Sequence, residues 1–182
     1  MKTLFLFILL IIIVLINTEK TYAQEASGSS ASLQTNLSEI GEDNRGKILK
    51  KFLEKHSSPL ASHSYTFVKN ADKYELDWRL VASIAGVEST FGKHIPYKSY
   101  NGWGWGIYGD NVIYFSSWDE GIDTVSKGLR ENYINKWAAE DVYEIGRIYA
   151  ASPSWASNVT YFMEKIEEFR YENQIEILSI SL

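Results

Sequence analysis

Apolar residues recur at helical spacing along most of the chain. In the stretch 45–56, RGKILKKFLEKH, Ile48, Leu49, Phe52 and Leu53 fall on one face. The next stretch, SSPLASHS, breaks the pattern at Pro59, and YTFVKNADKY restores it with Phe67, Val68, Ala71 and Tyr74. DWRLVASIAGVESTFG predicts a third helix, with Asp77 as N-cap and Gly92 as its stop. After an interruption, Ser117-x-x-Glu120 forms a capping box ahead of a stripe of Ile122, Val125, Leu129 and Tyr133. AEDVYEIGRIYA predicts a short helix. A longer one follows from SPSW, with Pro153 near its first turn and Val159, Phe162, Met163, Ile166 and Phe169 on its apolar side. The interruption is GWGIYGDNVIYF. Its two β-prone runs flank Gly109-Asp110-Asn111 and predict a small hairpin.

The ends of the chain read differently. Lys2 precedes an unbroken apolar run from Leu4 to Ile16, and NTEKTYA then ends in Ala23 with Thr21 two residues before it. A run of this length suits a signal-peptide core of about 7–15 residues and falls short of the roughly 20 that span a bilayer. Residues 1–23 are therefore expected to be a signal peptide, with an uncleaved anchor as the alternative. In both cases the rest of the chain is expected to be exported: secreted, periplasmic or wall-associated. Residues 24–44 are small, polar and aperiodic, which predicts a flexible linker. The folded domain is expected over 45–172, with 173–182 as a tail or a short strand.

Composition narrows the chemistry. The 182 residues contain no Cys, so thiolate nucleophiles, disulfides and thiolate metal sites are all excluded. Three widely spaced histidines match no metal-ligand pattern, and no metal or organic cofactor is implied. The net charge is −5 and no basic block stands out, which argues against a nucleic-acid partner. Aromatic residues make up 14 % of the chain, including 6 Trp and 12 Tyr. That enrichment suits a packed core, and it equally suits surfaces on which flat ligands or sugar faces stack.

One acidic residue stands out. On a helical wheel at about 100° per residue, Glu88 falls about 80° from Leu80, between Ile84 at about 40° and Val81 at about 100°. It therefore points to the apolar side near the end of its helix. A carboxyl that loses water there has a raised pKa, as a general acid needs. The same position also suits a structural Glu that accepts hydrogen bonds from the following loop. That loop, NGWGWGIYG, alternates glycine with large rings. Trp103, Trp105, Tyr97, Tyr100 and Tyr108 can line a groove, with Asn101 supplying an amide. The alternating glycines make a bent path, so one of Trp103 and Trp105 is expected to pack in the core while the other faces the groove.

The stretch SIAGVESTFGKHIPYKSYNGWGWGIYG, followed by FSSWDEGIDTVSKGLRENY and YAASPSW, resembles the glucosaminidases of the flagellar-hydrolase and autolysin type, the glycoside hydrolase 73 group. It also resembles the related lytic transglycosylases. The shared pattern is an apolar helix ending in Glu-Ser, a Phe-Gly just after it, and then an Asn-led loop. The resemblance covers roughly residues 65–169. It implies a lysozyme-like α+β fold, mainly helical, with a small β-hairpin beside the cleft. It also implies peptidoglycan glycan strands as partner, cut at a β-1,4 bond between amino sugars, and a monomer is expected. Glu88 aligns with the catalytic acid and Tyr149 with the cleft tyrosine. Asn101 opens the loop, Ser89 helps fix it below Glu88, and Trp103, Trp105 and Tyr100 are expected to form subsites. Two features depart from the pattern. Ala151-Ser152 stands where the family has Thr-Asp, and the candidate second acid, Asp110, sits in the predicted turn. A transglycosylase acting through Glu88 alone therefore stays open beside the two-carboxylate hydrolase, as does a binding module without turnover.

Overall fold

The computed structural model describes residues 44–106 and 112–180. The signal-peptide and linker readings, and the turn carrying Asp110, lie outside the described residues.

Helix α1 covers 44–55 and buries the expected face, with Leu49 and Leu53 fully inaccessible. A 3-10 turn, Pro59–His63, is capped by the Ser58 hydroxyl and leads into α2, Ser64–Lys73. Helix α3, Leu80–Ser89, packs chiefly against the last helix, with α2 and the fourth helix on its other sides. Helix α4, Trp118–Gly128, runs on as a π-helical stretch, Leu129–Asn135. Then come α5, Val142–Tyr149, and α6, Trp155–Ile180. The core joins all of these elements around Ile84, Ile122, Val125, Leu129, Val159 and Ile166, each fully buried. Exposed ion pairs stitch its outside. Arg45 clasps Asp72 through two 2.8 Å bonds, and Asp119 accepts from Thr66 at 2.7 Å beside His63. Such pairs contribute little each.

Several expectations change here. The capping box forms, but the Glu120 carboxylate reaches the backbone N–H of Ser116 rather than that of Ser117. Asp77 does not cap α3 directly. It accepts from the Arg79 backbone at 2.9 Å, and the helix starts at Leu80. The helix stops before Gly92, at Thr90 (φ 53°), with Phe91 (φ 58°) and Gly92 (φ 80°) completing a left-handed turn. Helix α6 continues through the segment read as a tail, as far as Ile180. Among the described residues no helix is long and apolar enough to cross a membrane.

The largest correction concerns the β-hairpin. Among the described residues there is no strand, and the fold class is helical rather than α+β. Residues 112–115 are β-prone but irregular. Their anchoring is piecemeal: Phe115 donates to the Ser99 carbonyl at 2.9 Å, and the Ile113 carbonyl accepts from the Asn101 side chain at 3.1 Å. A side chain thus satisfies a backbone group that a ladder would otherwise have paired.

Candidate active site

Helix α3 is buried nearly all round, with Ala82, Ser83 and Gly86, on the side away from Leu80 and Ile84, buried as well. A central helix has no single core face. Glu88 is the exception. It is exposed where α3 surfaces into a cleft, so the wheel reading of a core-facing carboxylate is corrected.

The carboxyl is nevertheless held. The indole N–H of Trp155, at the first position of α6, donates to Glu88 Oε1 at 2.7 Å. Glu88 Oε2 lies toward Gly104, 3.3 Å from where a Cβ on that glycine would sit. Gly104 has φ +61°, so the position suits glycine both in backbone and in space. Protein on these flanks strips part of the carboxyl's water and raises its pKa, while the Trp155 bond opposes that rise.

Beyond Gly104 opens a recess of about 420 Å³, lined by Trp105, Asn132, Tyr133, Trp137, Ile148 and Tyr149 together with Gly104 and Gly106. Its rings form a contiguous wall. Trp105 lies 6.0 Å from both Tyr133 and Tyr149, and Tyr149 stacks on Trp155 at 4.7 Å with the planes 23° apart. The Tyr149 hydroxyl donates to the Trp103 carbonyl at 2.6 Å. Burial, then the nearby Glu88 charge, pushes the Tyr149 phenol well above its usual range, so it stays neutral. Trp105 reaches the wall by crossing α4 at Gly128, where any Cβ would overlap its ring.

The structure thus brings Glu88, Tyr149 and Trp105 to one cleft. Other expected site residues serve the loop instead. Trp103 is fully buried, with its indole N–H donating to the Val81 carbonyl at 2.9 Å, so it offers no face to a ligand. This is the core-packed ring of the pair, and Trp105 is the ring at the cleft. Asn101 is buried and uses both ends of its amide: it donates to the Trp105 and Ile113 carbonyls and accepts from the Trp105 N–H at 3.0 Å. The Ser89 hydroxyl is 2.7 Å from the Gly102 carbonyl and accepts from the Gly92 N–H at 2.8 Å, tying the end of α3 to the loop. Tyr100 packs edge-on against Trp118 at 5.6 Å and does not line the recess. Asp110 lies outside the described residues.

Four residues were missed. Trp155 stood in the quoted YAASPSW block without a role, although an aromatic closing that block was a usable signal. Tyr133 was read only as part of an apolar stripe. Asn132 and Trp137 carried no signal, because the π-helical turn that aims this segment at the recess does not show in hydrophobic spacing.

No family model matches the chain, and no curated protein does. Two solved structures of S. aureus autolysin E are similar to it. One is a catalytic mutant in complex with the disaccharide NAG-NAM, with a TM-score of 0.55, and the other is in complex with the muropeptide NAM-L-Ala-D-iGlu, with a TM-score of 0.51. Each is 20 % identical over 68 % of this chain. The chain spans 66 % of each of those chains, just under two thirds of their length. At that identity the likeness shows the fold alone: a helical architecture similar to that of autolysin E.

Proposed function

We propose that this protein is an exported enzyme that cleaves peptidoglycan glycan strands at a β-1,4 bond between amino sugars, with Glu88 as general acid. The observation that carries this reading is the Glu88 carboxyl itself. Its proton affinity is raised, the Trp155 N–H holds one of its oxygens, and its other oxygen is turned toward Gly104 at the edge of an aromatic recess. The autolysin E structures hold peptidoglycan fragments, which is consistent with a glycan in this cleft. Protonated Glu88 gives its proton to the glycosidic oxygen as the bond to C1 breaks. Trp105 and Tyr149 offer ring faces to the sugar, and neutral Tyr149, with its hydrogen committed to the Trp103 carbonyl, orients rather than exchanges protons.

In a glucosaminidase, water then takes C1, with Glu88 as its base or with a second carboxylate. Among the described residues lining the recess there is no carboxylate. A second reading is a mechanism that runs on Glu88 alone. The sugar's own 6-hydroxyl bonds to C1 and returns its proton to Glu88, leaving a 1,6-anhydro end, as in a lytic transglycosylase.

Mass spectrometry of fragments from purified peptidoglycan separates the outcomes. Reducing N-acetylglucosamine ends mean glucosaminidase action, and anhydro-muramyl ends mean transglycosylation. No fragments at all mean a wall-binding module, and the proposal fails. Glu88→Gln is expected to cost at least about 10²-fold in cleavage while the circular dichroism spectrum is kept. Asp110→Asn tests the second acid: a loss equal to that of Glu88→Gln would assign the two-carboxylate hydrolase.

A further inference from the structure

We infer that Trp155 is a positioning residue that decides which oxygen of Glu88 carries the proton, holding Oε1 from behind so that the proton resides on Oε2, at the cleft. This rests on the reading of Glu88 as proton donor, and it adds a residue to which neither the sequence pattern nor the family resemblance gave a role.

The geometry is specific. An indole N–H is a donor only and cannot accept a proton in return. When Glu88 is neutral, its carbonyl oxygen accepts from that N–H better than its hydroxyl oxygen does. A 2.7 Å bond to Oε1 therefore favours the tautomer with the hydrogen on Oε2. Oε2 is the oxygen facing Gly104, and Gly104 lines the recess. The donor is itself fixed. Trp155 is 3 % exposed, its ring stacks on Tyr149 at 4.7 Å, and the Tyr149 hydroxyl is tied to the Trp103 carbonyl at 2.6 Å. The chain of contacts runs from loop to α5 to α6 to α3, and it ends on one carboxyl oxygen. When Glu88 is ionised the same bond becomes charge-assisted and stronger. Trp155 thus also lowers the proton affinity that loss of water raises.

Among the described residues, few other groups face Glu88 to titrate against it. On α3 there is no other ionisable side chain, and residues 101–106 contain none. From α5, Tyr149 faces Glu88 and stays neutral, and Tyr133 stands behind it at 5.8 Å. On α6 the first ionisable residue after Trp155 is Tyr161, which is exposed and packs against Phe162.

Trp155→Phe keeps a ring against Tyr149 and removes the N–H. The expected result on polymeric peptidoglycan is a fall in kcat on the order of tenfold with KM nearly unchanged, because the donor is misplaced rather than the subsites lost. The descending limb of the kcat/KM profile is also expected to move to higher pH, since the ionised form has lost its partner. A profile superimposable on that of the unsubstituted protein, with kcat within twofold, overturns the inference. A second measurement needs no activity. In the unsubstituted protein the Trp155 indole N–H resonance, assigned through its backbone, should shift with pH in a single titration, and the shift should vanish in Glu88→Gln. A resonance that does not move, or that moves equally in Glu88→Gln, overturns the inference even if Trp155→Phe does not fold. Should Glu88→Gln retain full cleavage, the donor assignment fails, while the resonance still reports whether Trp155 holds the carboxyl.

Discussion

Two halves of one six-residue loop, 101–106, do opposite work. The half around Trp103 faces inward. Its indole is fully buried against Phe67 and Trp118, and its N–H is tied to α3 through Val81. The half around Trp105 faces outward. Its ring is part of the recess wall, and its glycine, Gly104, borders the Glu88 carboxyl. Asn101 joins the halves, since its carbonyl oxygen accepts from the Trp105 N–H while its amide group holds the far side of the loop. The contrast teaches that identical residues two positions apart can belong to the core and to the cleft. A left-handed glycine, Gly104, bends the path between them, so the period-two rule of an extended segment does not apply.

The sharpest way to break the contrast is to truncate each ring. Trp103→Ala removes a fully buried indole together with its hydrogen bond to the Val81 carbonyl, and it is expected to cost about 3–5 kcal/mol of stability. Trp105→Ala opens space on a half-buried wall. It is expected to cost clearly less in a urea melt and to weaken retention on insoluble peptidoglycan several-fold. Equal losses in both assays for both variants would erase the distinction.

The glycines extend the same comparison. A Cβ at Gly102 would lie 3.2 Å from the Ser89 hydroxyl and 3.3 Å from the Trp118 ring, both on the core side. A Cβ at Gly104 would lie 3.3 Å from Glu88 Oε2, at a left-handed φ that costs an alanine roughly 1–2 kcal/mol. Gly102→Ala is expected to lower the melting temperature and leave turnover of the folded fraction alone. Gly104→Ala is expected to lower turnover on the order of tenfold as well, by crowding the donating oxygen. Turnover per folded molecule is the measurement, and the expectation fails if Gly104→Ala matches Gly102→Ala.

How much of this was legible follows from what hydrophobic spacing encodes. The stripes of α1, α4 and α6 came through because each of these helices packs one face on the core: Leu49, Ile122 and Val159 are all fully buried where the spacing put them. Helix α3 was found, but its orientation was misread, because a helix surrounded on several sides has no polar face to compare against. Glu88 was singled out on an argument about burial, whereas the structure shows it exposed, with its proton affinity raised by flanking protein. The hairpin failed because β-propensity describes a surface that needs a partner strand, and Asn101 supplied side-chain partners instead. Trp155 and the residues of the π-helical turn needed tertiary information: one meets Glu88 from 67 positions away, and the other depends on a local change of helical pitch.

The smallest effect separates the halves by pH. The folded-state pKa of Glu88 is raised above the ordinary carboxylate value of about 4.3, so between those two values the folded protein binds more protons than the unfolded chain. Stability attributable to this group therefore falls as pH rises through that window and stays lowered above it. Glu88→Gln removes the ionisation, and its amide oxygen can still accept from Trp155. The variant is expected to melt at nearly the temperature of the unsubstituted protein at pH 4 and slightly above it at pH 7. Trp103→Ala, a change in packing alone, is expected to show the same deficit at both pH values. Scanning calorimetry of the three proteins at the two pH values makes the comparison. A Glu88→Gln curve that is no more stable than the unsubstituted protein at pH 7, or that gains equally at pH 4, would mean that the carboxyl loses no water in this cleft. It would then carry no raised proton affinity with which to serve as an acid.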